Sequence, residues 1–112
     1  MKHEMKLNDS PFNKIKNGTK TMELRLYDEK RRRLREKDYI KFTNILNGEK
    51  LTIQIEALYK FKDFVELYKE IDKCQMGYEN DDIADPNDME KYYSLYEQEK
   101  YGVLAIKMRN VN

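Results

Sequence analysis

Two short runs of alternating polarity meet at an Asn-Gly pair, and this juncture limits the possible folds more than any other feature. Residues 39–44, YIKFTN, put Ile40 and Phe42 on one side. Residues from about 50 to 59 put Leu51, Ile53, Ile55 and Ala57 on one side. A period of two marks a strand with one buried face. Asn47-Gly48 lies between the runs and is a two-residue hairpin signal, because both residues tolerate positive φ. An antiparallel hairpin is expected at the centre of the chain.

The flanks supply fewer strands and more helix. Met22, Leu24 and Leu26 alternate with Thr21, Glu23, Arg25 and Tyr27, which predicts a further strand. Residues 103–108 predict a last one, with Leu104, Ile106 and Met108 inward. Ser10 or Asp9 can cap a short helix over 11–17, with Pro11 in its first turn, Phe12 and Ile15 buried and Gly18 as its stop. Asp63 with Glu66, and Ser94 with Glu97, have capping-box spacing. They open helices over about 64–72 and up to Lys100. Asp85-Pro86 starts another short helix through Tyr93. The expected order is α, β, β, β, α, α, α, β. So few strands must curl to cover an apolar face. The fold class is α+β, a small partly open barrel with short helices packed against it; a flat α+β sandwich is the alternative.

Composition sets the scale. Leu, Ile, Val and Phe supply 25 of 112 residues, enough for one domain over 1–112 but not for a large core. Nine Tyr and six Met add apolar surface, and a net charge of +1 does not hold the chain open. No apolar run approaches the length of a membrane span, and the first ten residues lack a secretory pattern. The single cysteine, Cys74, suits a reducing cytoplasm and an inert thiol. The single histidine, His3, falls at what reads as a frayed terminus. One His and one Cys leave no basis for a zinc site or a His-dependent triad, so no metal and no cofactor are expected. A monomer is expected.

The small net charge conceals a division. Residues 1–60 carry 15 Lys+Arg against 9 Asp+Glu, and residues 61–112 carry 7 against 12. The basic extreme is 30–37, KRRRLREK, and the acidic extreme is 79–90, ENDDIADPNDME. Such asymmetry suits an anionic polymer, with Arg31, Arg32, Arg33 and Arg35 each able to meet a backbone phosphate. It equally suits a loop that pairs with Asp28, Glu29 and Glu36.

Lys20, Thr21, Glu23 and Arg25 gather a cation, a hydroxyl, a carboxylate and a guanidinium on one strand face. At ~3.3 Å per residue they fall within roughly 10–14 Å. The set can read a polar ligand edge, since Arg and Lys donate and Glu accepts. A solvated Glu23–Arg25 pair worth under ~1 kcal/mol is the plainer alternative. Tyr92, Tyr93, Tyr96 and Tyr101 could stack a base or pack a short helix on the sheet.

The run Pro11-Phe12, Ile15, Gly18, Lys20-Thr21, Glu23-Leu24-Arg25, followed by a basic loop and Asp38-Tyr39-Ile40-Lys41-Phe42, resembles the ASCH domain. So does Tyr92-Tyr93-Ser94, Glu97, Glu99-Lys100-Tyr101-Gly102-Val103, which is similar to the end of the short bacterial members. The resemblance spans about residues 5–109. It implies a PUA-like β-barrel with helices beside a cleft, the cleft lined by Lys20, Glu23 and Arg25. It implies binding of RNA or a modified nucleotide. Of the tyrosines, Tyr93 and Tyr101 are the candidate ligand contacts. One branch of the family is an amidohydrolase acting on N4-acetylcytidine through a Lys, a Thr and a Glu. Lys20 matches that lysine, but the threonine's position is Glu23 here, and Glu66, Glu70 and Glu79 compete for the third role. Lys20 and Glu23 are thus the catalytic candidates, and another branch is reported to cut RNA. The family's turn before the second strand carries Gly-Asp, where this chain has Lys37-Asp38. If that turn needs positive φ, Lys there costs roughly 1 kcal/mol.

Overall fold

The computed structural model describes residues 1–111. Its elements are β1 (Lys2–Leu7), α1 (Asp9–Lys16), β2 (Met22–Leu26), β3 (Tyr39–Asn44), β4 (Lys50–Phe61), α2 (Phe64–Glu70), α3 (Leu95–Tyr101) and β5 (Val103–Asn110). Two 3₁₀ turns, Arg31–Arg33 and Pro86–Lys91, complete them. The strands form a five-stranded half-barrel in the order β1-β3-β4-β5-β2. Every pairing is antiparallel except β1 with β3. This is the α+β partly open barrel that the alternation predicts, and it is consistent with the PUA-like barrel that the resemblance implies.

Both faces of the sheet are covered. On one, Ile40, Phe42, Leu51, Ile53, Ile55, Leu104, Ile106 and Met108 pack against Phe12 and Ile15 of α1. On the other, Met22, Leu24, Leu26, Val103 and Ala105 pack against Phe64 and Leu67 of α2. Asp63 caps α2 by accepting from the Glu66 N–H at 2.9 Å, and Ser94 and Glu97 form a reciprocal capping box on α3. Asn8, rather than Ser10 or Asp9, takes the cap position of α1. The Asp9 carboxylate instead accepts from the fully buried Asn44 side chain at 2.8 Å.

Three expectations are corrected. The N-terminus is a strand, not a frayed end. Met5 and Leu7 are buried in the first core, and the His3 ring nitrogen lies 2.8 Å from Asp38. Ala57 does not continue the face of Ile55, because a bulge between them sets it opposite Lys107 and sets Leu58 opposite Ile106. The hairpin loop takes left-handed φ at Gly48 but not at Asn47, so it is a longer connection than a two-residue turn. Lys37 does adopt φ of +73°, the conformation that its turn demanded.

Candidate functional site

β2 is an edge strand, and its register with β5 determines where its polar residues point. Glu23 lies opposite Ile106 and Arg25 opposite Leu104, so they share a face with the first core rather than with solvent. Glu23 is 4% exposed. Its Oε1 is 3.0 Å from Lys20 Nζ, and its Oε2 accepts from Arg25 Nε at 2.9 Å. Burial works to raise the Glu23 pKa, but the two flanking cations outweigh it and hold the carboxyl below its usual range. Burial likewise opposes the Arg25 charge, and Glu23 together with the Tyr93 hydroxyl more than compensates.

The triad stands at the base of a cleft of about 670 Å³. One side is built from β1, α1 and the approach to β2, and carries Lys6, Lys14, Lys20 and Arg25. Lys14 Nζ donates to the Gly77 carbonyl at 2.7 Å. A Cβ on Gly77 would come within 3.3 Å of the Lys20 stem, so glycine lets the chain lie across both lysines. The other side comes from the long excursion after α2 and carries Tyr68, Tyr78, Asp82, Asp88, Tyr92 and Tyr93. The Tyr93 ring stacks on Phe64 at 6.0 Å. Burial pushes its hydroxyl pKa up, while the nearby Arg25 and Arg31 pull it down. The acidic 79–90 segment thus contributes Asp82 and Asp88 to one wall of the cleft, across from Lys14 and Lys20.

Of the residues singled out in the sequence, Lys20, Glu23, Arg25, Tyr92 and Tyr93 meet in this cleft. Thr21 does not line it. The Thr21 and Met22 N–H groups both donate to the Gln75 carbonyl at 2.9 Å, so the regular strand starts at Met22 and the alternation does not reach back to Thr21. The arginines of the basic loop also lie outside. Arg31 pairs with Asp28 at 2.8 Å. Arg32 stacks over the Tyr27 ring at 4.3 Å, and Arg35 donates to the carbonyls of Arg32 and Leu34. Arg33 is exposed on its 3₁₀ turn. Tyr101 packs in the second core, and its carbonyl accepts from Arg32 at 3.4 Å.

Glu66 and Glu70 border a shallow depression elsewhere, beside Lys60 and Lys107, and Glu79 is not among the cleft residues. Lys14 and Tyr78 escaped notice because neither period nor motif marks them, while Tyr68 reads as a packing position of a helix and Asp88 as one acid of the 79–90 run; tertiary packing alone brings them to the site. Among the described residues no cluster of metal-ligating side chains occurs, and no helix is long and apolar enough to cross a membrane.

A search of curated proteins returned no match. Two solved structures are similar over almost their whole length. The crystal structure of hypothetical protein PH0355 is 28% identical, covers 99% of this chain and 100% of its own, and superposes with a TM-score of 0.84. The solution NMR structure of protein PF0455 from Pyrococcus furiosus is also 28% identical, with coverages of 100% and 99% and a TM-score of 0.73. A family model for the ASCH domain matches residues 5–112. With that match spanning nearly all of the sequence that builds the half-barrel and its cleft, the chain belongs to the ASCH domain family.

Proposed function

We propose that this ASCH domain binds RNA or a modified nucleotide, with one nucleotide seated in the cleft. The observation that carries the reading is the Lys20–Glu23–Arg25 triad. A buried carboxylate fixes two cations at the base of a cavity large enough for a nucleotide. Five basic and three acidic side chains line that cavity, a net of +2 suited to an anionic ligand. Tyr92 and Tyr93 supply aromatic surface beside it.

The same geometry argues against Glu23 as a general base. Both of its oxygens are engaged, and its lowered pKa makes it a weak proton acceptor near neutral pH.

The test is a titration of wild-type protein with short single-stranded RNA and with a nucleotide pool between ~50 and ~200 mM salt. The expected result is binding that weakens with salt and falls about tenfold in Lys20→Ala protein that retains its fold. Absence of salt-sensitive binding to every RNA and nucleotide would overturn the reading. Lys20-dependent hydrolysis of N4-acetylcytidine would replace it with an amidohydrolase.

A further inference from the structure

The Lys14–Lys20 side of the cleft and the Tyr68–Tyr78–Asp88 part of the facing wall differ in hydrogen-bonding character. On the basic side, each ammonium of Lys14 and Lys20 has three donors, and among the described residues each bonds one partner, the Gly77 carbonyl and Glu23 respectively. Donors remain on both.

The facing wall is different. The Tyr78 hydroxyl donates to Asp88 Oδ2 at 2.8 Å. The Tyr68 hydroxyl lies 2.9 Å from the Tyr78 oxygen and must supply the proton of that contact, because the Tyr78 proton is already given to Asp88. Both phenolic protons are therefore held inside the chain. Asp88 keeps its second oxygen as an acceptor. Asp82 uses Oδ2 to accept from the Glu79 N–H at 2.8 Å and keeps its other oxygen. Lys91 is the base on this wall, and its ammonium lies 5.2 Å from the Tyr92 ring centroid.

We infer that the Tyr68–Tyr78–Asp88 wall selects nucleotides whose base carries an exocyclic amino group, the anionic side of the ligand facing Lys14, Lys20 and Arg25. This rests on the reading of the cleft as a nucleotide site and names the chemistry it prefers. Adenine and cytosine present an amino donor where hypoxanthine and uracil present a carbonyl oxygen. A carbonyl set against Asp88 meets a carboxylate oxygen in place of a donor, and a site that hydrogen-bonds one edge disfavours the analogue that lacks the donor.

The experiment measures the affinities of AMP against IMP and of CMP against UMP, for wild type, Asp88→Asn and Tyr78→Phe. The amino-bearing member of each pair is expected to bind about tenfold more tightly to wild type. Asp88→Asn offers an amide donor and should narrow or reverse the preference. Tyr78→Phe keeps the ring, removes the bond that holds Asp88 and should narrow it as well. It decides the matter if Asp88→Asn fails to fold. Equal binding within both pairs, or a preference that neither variant moves, overturns the selection while the nucleotide reading stands. Failure of wild type to bind all four nucleotides and RNA removes both.

Discussion

Arg25 reaches across the open side of the half-barrel and donates through Nη2 to the Lys6 carbonyl at 2.9 Å. β2 and β1 are the two edges of the sheet and share no ladder, so this guanidinium is a hydrogen-bonded link between them. It holds Glu23 at the same time. An ammonium is a point donor on a flexible stem and does not reproduce a planar fork. Arg25→Lys should therefore lower stability by about 1–2 kcal/mol in urea titration and speed amide exchange in β1. Unchanged exchange in β1 would show that the strand is held by β3 alone.

Removing the charge of Glu23 should destabilise far more than breaking a surface pair. Lys20 and Arg25 would stay largely buried without their counter-charge, a loss of about 3 kcal/mol for Glu23→Gln at neutral pH. The pH dependence has a definite sign. The folded carboxyl titrates below the unfolded value of about 4.3, so its contribution is present above that pH and is lost as pH falls through the folded value. Wild type should lose stability across that acid window. Glu23→Gln should show a shallower decline there, as followed by denaturant unfolding at a series of pH values.

Lys37→Gly should stabilise the protein. The backbone at φ +73° is strained for lysine and free for glycine, and the gain is about 0.5–1 kcal/mol after the greater entropy of unfolded glycine. Thermal unfolding of the two proteins under one condition measures it. A loss of stability would mean that the Lys37 side chain contributes more than its backbone strains.

The basic loop should matter less for ligand than its composition implies. Gln at positions 31, 32 and 33 together removes the Asp28 pair and the stacking on Tyr27, which should cost about 1–2 kcal/mol of stability. The salt slope of RNA binding should flatten by less than ~1 unit. Gln at Lys14 and Lys20 should reduce affinity more. The reverse ranking would place the phosphate contacts on the loop.

What the sequence reveals and what it conceals divide along physical lines. Short-range signals are legible. The alternation at 22–26, 39–44 and 50–55 and the capping residues Asp63 and Ser94 all correspond to elements in the fold. β1 is hidden because only Met5 and Leu7 mark its buried face, and its order comes from pairing with a strand over thirty residues away. Ala57 is misjudged because one extra residue at a bulge reverses parity, and nothing local announces it. The arginine loop shows the converse. Its charge is conspicuous, yet Asp28, Tyr27 and nearby carbonyls hold Arg31, Arg32 and Arg35, half of its cations. Half of the cleft was readable because Lys20, Glu23 and Arg25 lie on one short segment. Of the tyrosine wall, Tyr92 and Tyr93 stand out in the sequence as aromatic candidates but Tyr68 and Tyr78 do not, since residues 68–93 meet residues 6–25 only in the folded chain.

β5 buries alternate residues in both cores, Val103 and Ala105 on one side and Leu104, Ile106 and Met108 on the other. Neither core can come apart without exposing the back of this strand to water. The domain should therefore melt as one cooperative unit rather than in two stages, with calorimetric and van't Hoff enthalpies in agreement. The backbone amides of β5 should be the last to exchange, at the free energy of global unfolding. A truncation in either core, whether Phe42→Ala or Leu67→Ala, should then shift one shared transition and leave the molecule without a half-folded state in which the cleft could persist.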